Sequence, residues 1–192
     1  MTNIGVLALQ GAFIEHEKML RALGAETTQV RLPQHLDSLD GLIIPGGEST
    51  TIGKLATTYG LMEPLRQFAQ VYPTWGTCAG MIFLAKELGH NQQPILGLMD
   101  ITVDRNAFGR QVDSFEAQLD ISVLEGDPFH AVFIRAPVVT QVDDSVDVLS
   151  TLADGRIVAT RQKHLLATAF HPELTGDSRL HGYFLKMVKN QA

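Results

Sequence analysis

The pentapeptide Gly76–Gly80 (GTCAG) constrains the fold of this chain more than any other stretch of its sequence. It contains the only cysteine, Cys78, and lies between the run Tyr72–Trp75 and the apolar run Met81–Ala85. A G-x-C-x-G pattern between a strand and a helix predicts a nucleophile elbow, a sharp turn that lifts a reactive side chain clear of a sheet. The glycines let other backbone approach closely, and the helix N-terminus favours a thiolate. A lone cysteine can instead be a small buried apolar residue.

The rest of the chain alternates between strand-like and helix-like segments. Short apolar runs and hydrophobic spacing predict strands at Ile4–Leu9, Thr27–Val30 and Gly41–Ile44 and a hairpin of Ile157–Thr160 with Leu165–Ala169. Helical spacing predicts helices at Phe13–Leu23, Thr51–Thr58, Glu63–Gln70 and Arg179–Lys189. Residues 101–148 are expected to include antiparallel strands. This pattern predicts an α/β fold, a single domain over residues 1–192 with a mostly parallel central sheet flanked by helices.

A histidine and a glutamate near the C-terminus form the second chemical signal. They belong to Phe170–Glu173 (FHPE), which directly follows the last predicted strand. A thiol nucleophile benefits from a base, and the base from a group that fixes its tautomer, so Cys78, His171 and Glu173 supply the three roles of a triad in chain order. Pro172 stiffens the backbone between the two side chains. The H-P-E tripeptide alone could equally be a surface turn.

The loop Pro45–Thr50 (PGGEST) follows the third predicted strand, at the sheet edge where ligands bind in such folds. Gly46 and Gly47 allow a positive φ, so one of their N–H groups can point into a pocket and form an oxyanion hole with the N–H of Ala79. The G-x-x-x-x-G-K-[ST] pattern of a phosphate loop is absent. A tight turn before a helix that is N-capped by the serine or threonine of this loop is a compatible alternative.

Arginines and histidines supply the remaining polar candidates. Arg105 and Arg135 can each hold a carboxylate bidentately, although most arginines are solvated surface residues. The seven histidines are scattered without the close spacing of metal ligands. We expect most of them at the surface and no metal site.

Composition excludes several classes of function. The net charge of −6 argues against a nucleic-acid or anionic-membrane surface, and the sequence has no Lys/Arg cluster. No run approaches the length of a membrane span, and the N-terminus lacks the pattern of a signal peptide. One cysteine permits no internal disulfide, which indicates a reducing compartment. We therefore expect a soluble, cytoplasmic protein.

Together these segments resemble a known family. The chain is similar to the class I (triad) glutamine amidotransferases, which have a flavodoxin-like fold, and within them to the glutaminase subunits of pyridoxal 5′-phosphate synthase. The matching segments span nearly the whole chain: Ile4–Ala12, Glu15-His16, Pro45–Thr51, Gly76–Gly80, Arg105–Glu116, Phe133–Pro137 and Phe170–Thr175.

The resemblance implies a reaction and a set of residues. Cys78 would attack the side-chain amide of L-glutamine and give a γ-glutamyl thioester that water hydrolyses, with His171 as base and then acid and Glu173 orienting it. By the same resemblance, the residues that contact glutamine are Gly47, Glu48, Ser49, Arg105, Ile134 and Arg135.

The resemblance also implies a partner. Ammonia would pass to a separate (β/α)₈ synthase subunit in a hetero-oligomeric complex, which builds pyridoxal phosphate from a pentose phosphate and a triose phosphate. Gln10, at the carboxyl end of the first predicted strand, is expected on the docking face. The chain itself is expected to need no cofactor and no metal.

Two other functions stay open at the level of sequence. A cysteine peptidase or another hydrolase on a similar sheet could carry the same elbow cysteine and histidine. The loop Pro45–Thr50 and Arg105 favour a small amino-acid substrate instead. An inactive regulatory domain could keep the fold, but the presence of Cys78, His171 and Glu173 together argues against it.

Overall fold

A ten-stranded sheet forms the centre of the computed structural model, which describes residues 1–89, 92–105 and 114–191. The strands are β1 (Asn3–Leu7), β2 (Glu26–Val30), β3 (Gly41–Ile44), β4 (Thr74–Thr77), β5 (Ala85–Leu88), β6 (Met99–Asp104), β7 (Ser114–Leu119), β8 (Phe129–Ile134), β9 (Val138–Val142), β10 (Asp147–Thr151), β11 (Ile157–Gln162) and β12 (Leu165–Thr168). The helices are α1 (Phe13–Ala22), α2 (Ser49–Thr58), α3 (Met62–Val71), α4 (Ala79–Leu84) and α5 (Arg179–Gln191), with 3₁₀ turns at Pro33–Leu36 and Pro172–Leu174.

The sheet has a parallel half and a largely antiparallel half. Its order is β2-β1-β3-β4-β12-β11-β9-β6-β5, and β10 pairs with β11. The strands from β2 to β12 in this order are parallel to one another, and β11, β9 and β6 continue the sheet with antiparallel pairs. Strands β7 and β8 form a separate antiparallel hairpin. The predicted α/β fold with a mostly parallel central sheet is confirmed, as are the antiparallel strands within residues 101–148 and the β11–β12 hairpin.

Full burial explains the short apolar strands at the centre. Every residue of β3, β4 and β12 is buried, which parallel strands require when helices cover both faces of a sheet. The buried apolar residues, with Trp75 and Phe184 among the largest, form one continuous cluster. Among the described residues, no helix is long and apolar enough to cross a membrane.

Several strand boundaries differ from the prediction by one or two residues, and two of them lie next to candidate site residues. The strand before the cysteine is β4, Thr74–Thr77, rather than Tyr72–Trp75, because the elbow glycine Gly76 is itself part of the strand. The first strand ends at Leu7 rather than at Leu9, ahead of a turn in which Gly11 has φ 99°. The first difference places the end of β4 directly before Cys78, and the second leaves Gln10 in a loop between β1 and α1.

Helix α2 contains a glycine, Gly53, at the point where it passes close to the backbone of another segment. A Cβ at this position would lie 2.7 Å from the carbonyl oxygen of Pro94. Real Cβ atoms do not approach backbone this closely, so α2 can pack against the segment containing Pro94 only with glycine here. This contact accounts for a residue that is unfavourable within a helix.

Candidate active site

Cys78 occupies the predicted strand-to-helix turn. It follows β4, immediately precedes α4 and has φ 49° and ψ −105°, a strained conformation for a residue with a side chain. Its N–H donates to the carbonyl of Thr168 on the neighbouring strand, at 2.8 Å. Gly80 allows the turn because a Cβ there would clash with the carbonyl of Ile44. Only 6% of Cys78 is exposed, so the sulfur faces the interior of the site and not bulk solvent.

His171 and Glu173 follow β12, the strand parallel to β4 and adjacent to it. Nδ1 of His171 and Oε1 of Glu173 are 2.7 Å apart, and both residues are buried. The N–H of His171 donates to the carbonyl of Val132 on β8, at 2.8 Å, so the hairpin holds the backbone of this segment in place. Because Thr77 pairs with Thr168 in register, the chain reaches Cys78 and His171 at the same edge of the sheet.

The electrostatics of His171 follow from its two polar neighbours. Burial lowers the pKa of this imidazole, but its interactions with Cys78 and Glu173 outweigh burial and raise the pKa to about 10. The ring therefore carries a proton at neutral pH.

The double glycine lies directly against these side chains. A Cβ on Gly46 would clash with the ring of His171 and would lie 3.3 Å from the Cβ of Cys78. A Cβ on Gly47 would clash with Oε1 of Gln10. Neither glycine has a positive φ, so the reason predicted for them was wrong. The ring of His171 leaves no room for a side chain at Gly46, and a side chain at Gly47 would have to displace the end of Gln10.

Gln10 ties the N-terminal segment to this loop. Its Oε1 accepts a hydrogen bond from the N–H of Glu48 at 2.7 Å, and the N–H of Ala12 donates to the carbonyl of Gly46 at 3.1 Å. Gly11 is necessary for this contact because a Cβ there would clash with the same carbonyl. The residue predicted at the docking face therefore also contacts the glycine loop.

Glu48 caps helix α2. Its carboxylate accepts hydrogen bonds from the N–H groups of Thr50 at 3.1 Å and Thr51 at 2.6 Å, so the cap is not the serine or threonine that the sequence favours. Hydrogen bonds from Thr51 are the main reason why the pKa of Glu48 falls to about 2. The carboxylate is therefore charged over the physiological range. It also pairs with Arg105, whose Nη2 is 3.3 Å from Oε1.

Arg105 and Ser49 meet at Gln93, a residue that the sequence analysis missed. Oε1 of Gln93 accepts hydrogen bonds from Arg105 Nη1 at 2.7 Å, Ser49 Oγ at 3.2 Å and Thr50 Oγ1 at 3.3 Å. The structure thus brings together Glu48, Ser49 and Arg105, which were predicted from separate segments. Gln93 lies outside every recognisable motif, so no sequence signal could have identified it.

Strand β8 ends at Ile134, and Arg135 follows it. The carbonyl oxygen of Ile134 is 3.7 Å from Sγ of Cys78, and Arg135 has φ 44°. Ala79, the third predicted oxyanion residue, is the first residue of α4. Of the predicted Arg105–Glu116 motif, residues 106–113 lie outside the described residues.

We expected most histidines at the surface, but three of the six described histidines are buried around the site. His16 and His181 are fully buried beneath the site, in addition to His171. His16 belongs to α1 and His181 to α5, on the amphipathic faces that pack against the sheet. The pair Glu15-His16 was part of a matching segment, but nothing in its spacing indicated that the imidazole would reach the triad.

Comparisons with known proteins show the family to which this chain belongs. The family model of the SNO glutamine amidotransferase family matches residues 6–190. The chain is 64% identical over 187 residues to pyridoxal 5′-phosphate synthase subunit PdxT of Herpetosiphon aurantiacus, covering 95% of this chain and 98% of that protein. It is 60% identical over 191 residues to the protein of the same name from Dehalococcoides mccartyi, covering 98% of each chain.

Solved structures extend the comparison to three dimensions. A crystal structure of a glutamine amidotransferase superposes with a TM-score of 0.91 at 51% identity, covering 97% of this chain and 98% of that one. A chain from the structure of PurLQS of Thermotoga maritima superposes with a TM-score of 0.69 at 17% identity, covering 99% of this chain and 96% of that one. The second likeness concerns the fold alone.

Proposed function

The chain belongs to the SNO glutamine amidotransferase family, and we propose that Cys78, His171 and Glu173 are the triad with which it acts on glutamine. The protein is a glutaminase subunit: it hydrolyses L-glutamine to L-glutamate and ammonia, and the ammonia serves the synthesis of pyridoxal 5′-phosphate. It acts together with a synthase subunit. The main support for this triad is the 2.7 Å contact between Nδ1 of His171 and Oε1 of Glu173, next to a buried cysteine with a strained backbone.

The proposed chemistry has two halves. The thiolate of Cys78 attacks the side-chain carbonyl carbon of glutamine, and His171 gives its proton to the departing nitrogen as the C–N bond breaks and ammonia leaves. A water molecule then attacks the γ-glutamyl thioester, His171 takes a proton from it, and the C–S bond breaks to release glutamate. Glu173 holds Nδ1 of His171, which keeps Nε2 available to both steps.

The oxyanion of both tetrahedral intermediates needs donors close to Cys78. We assign these to Ala79, at the start of α4, and to the loop residues Gly46 and Gly47. The support is proximity, since Gly46 lies against both Cys78 and His171.

Glutamine itself carries an α-carboxylate and an α-ammonium group, and the site offers charges of both signs. We assign its recognition to Gly47, Glu48, Ser49, Arg105, Ile134 and Arg135. The pair of Glu48 and Arg105 supports this because the two side chains already lie together at the N-terminus of α2. Arginine suits a carboxylate because its guanidinium can bind both oxygens.

We further propose that the synthase partner is a (β/α)₈ subunit in a hetero-oligomeric complex and that Gln10 belongs to the docking face. The contact between Gln10 and the N–H of Glu48 supports this, because docking there would reach the glycine loop directly. The reaction needs no cofactor in this chain. A reducing compartment, the cytoplasm, fits a reactive site with a single thiol.

A glutamate-release assay tests this function. The purified chain, with and without the synthase subunit, is given L-glutamine, and a peptide library is offered in parallel. Glutamate and ammonia in equal amounts, with no peptide cleavage, are expected. Peptide cleavage without glutamine turnover would favour the cysteine peptidase instead.

A further inference from the structure

Two imidazoles lie buried behind the triad without a role in the chemistry described so far. His16 and His181 are both fully buried, and Nδ1 of His16 is 2.9 Å from Nε2 of His181. Both rings pack against Trp75 on β4, at centroid distances of 5.8 and 5.0 Å. Burying two polar rings costs free energy that apolar side chains of similar size would not cost. A role for them in the site would explain their presence.

His16 reaches the triad through Glu173. Its Nε2 is 3.3 Å from Oε2 of Glu173 and also 3.3 Å from Oγ1 of Thr77, the residue before the nucleophile. The hydrogen-bond geometry favours Thr77, and Oε2 has no well-aligned donor among the described residues. The other carboxylate oxygen already accepts from His171. His16 therefore faces Glu173 on the side opposite the catalytic histidine.

The charge of Glu173 determines how the protons of the two rings are arranged. Burial lowers the pKa of His16 well below its ordinary value and that of His181 to about 4, so both rings are neutral at neutral pH. A neutral ring has one N–H, and a carboxylate repels a nitrogen lone pair at 3.3 Å. We therefore assign the proton of His16 to Nε2, which leaves its Nδ1 to accept from Nε2–H of His181. Both N–H dipoles then point towards the carboxylate.

We propose that His16, with its tautomer fixed by His181, is a positioning residue that holds Glu173 in the orientation in which Oε1 binds His171. This inference rests on the proposed triad. His16 touches neither substrate nor sulfur and acts only through Glu173. It also belongs to the first turn of α1, which begins immediately after Gln10–Ala12. The position of that helix therefore affects the orientation of the triad.

A double-mutant cycle between His16 and Glu173 tests the proposal in the complex with the synthase subunit. His16→Leu removes the N–H that faces Oε2 of Glu173 at 3.3 Å, and about a 10-fold lower kcat is expected, the lower end of the range for a lost polar contact to a charged group. KM for glutamine should change less than about threefold, because His16 does not contact substrate. His16→Gln keeps an N–H near the position of Nε2 and should recover most of the activity. In a Glu173→Gln background, His16→Leu should have almost no further effect.

The controls separate positioning from simple destabilisation. His164→Leu is the control, because His164 precedes β12 at the end opposite to His171. Among the described residues, the ring of His164 hydrogen-bonds only to the carbonyl of Ala69, at 2.9 Å. Its kcat should equal that of the unsubstituted protein. If His16→Leu fails to fold, His181→Phe takes its place in the same cycle, with about a threefold to tenfold loss of kcat expected only when Glu173 is present.

Three results would overturn the proposal: a kcat for folded His16→Leu within about twofold of the unsubstituted protein, no recovery in His16→Gln, or equal losses with and without Glu173. The same double-mutant cycle can be measured without glutamine, with the rate at which iodoacetamide alkylates Cys78 as the readout in each variant. If the unsubstituted complex released no glutamate, the proposed function would fail, and the alkylation cycle would still decide the role of His16.

Discussion

Cys78 and His171 lie just beyond the ends of two neighbouring strands, β4 and β12. The sulfur is held by a strained backbone, and the imidazole keeps its proton because Glu173 and the cysteine outweigh the effect of burial on its pKa. The predictions at this scale concern what happens when one member of the triad is changed.

Replacing the nucleophile should abolish turnover. Cys78→Ala removes the atom that forms the thioester, and the change is small enough to leave the fold intact. Glutamate release with the synthase subunit present should fall to background, while circular dichroism and Tm stay close to those of the unsubstituted protein. Appreciable turnover by the folded variant would rule out the thioester route.

The other two members of the triad should differ in importance. His171→Ala removes both the base and the acid and should lose nearly all activity. Glu173→Gln keeps a hydrogen-bond acceptor for Nδ1 and should retain measurable activity, because a cysteine needs less help than a serine. Partner-stimulated glutamate release measured side by side checks this. Complete inactivation of both folded variants would show that Glu173 does more than orient the ring.

The raised pKa of His171 also predicts a pH dependence of stability. A group whose pKa is higher in the folded state stabilises the fold fully below its unfolded value of about 6.5. That contribution is lost as the pH rises through about 10. The difference in unfolding free energy between the unsubstituted protein and His171→Gln should shrink over this window, by at most about 1.4 kcal/mol per pH unit. Urea titrations at several pH values measure it, and a constant difference would contradict the assigned pKa.

At the scale of a single element, helix α2 connects the loop Pro45–Thr50 to the rest of the fold. Glu48 caps its N-terminus, and Gly53 lets its middle lie against Pro94. Pro94 directly follows Gln93, the residue that binds Arg105. The packing of this helix therefore sets the position of the charged pair proposed to bind glutamine.

Gly53→Ala should destabilise the protein although alanine favours helices. The new Cβ would lie 2.7 Å from the carbonyl oxygen of Pro94, and such overpacking typically costs about 1–3 kcal/mol. Gly182→Ala is the matched control in α5: among the described residues, no heavy atom outside its own stretch of helix lies within 4 Å of its Cβ position. It should stabilise by about 0.5–1 kcal/mol. Denaturation midpoints of both variants test this prediction. If Gly53→Ala stabilised the protein, α2 and the segment containing Pro94 would be able to move apart at little cost.

At the scale of the whole molecule, the predictions from sequence succeeded where the physical cause was local. The elbow, the buried strands and the helices α1, α2, α3 and α5 follow from turn chemistry and hydrophobic spacing, so their existence and order could be read from the chain. Contacts between distant segments could not. Gln93 is placed by packing against α2, and His16 and His181 meet only after α1 and α5 cover the same strand. Glu48 as a cap was missed because glutamate is not among the preferred N-cap residues.

The contact of Gln10 with the glycine loop predicts that the partner controls activity. Gly46 and Gly47 can adopt more than one peptide orientation, and the loop is tied to a segment at the expected docking face. We expect the free subunit to release little glutamate, and the rate should rise markedly once the synthase partner is added. A free subunit that already runs at its full rate would contradict this.

Because β4 and β12 are adjacent in the sheet, the proposed triad and part of the proposed glutamine-binding set come from different parts of the chain. The two strands are neighbours in the sheet, yet residues 85–164 lie between them in the chain and contribute Arg105, Ile134 and Arg135. That excursion can diversify, lengthen or be exchanged between relatives while the register of β4 with β12 stays unchanged. Substitutions at Arg105, Ile134 and Arg135 are therefore expected to change which amide is bound, whereas the proposed triad at the two strand ends determines how the amide is cleaved. A laboratory recombination of such proteins would accordingly place its crossovers at the outer ends of this excursion.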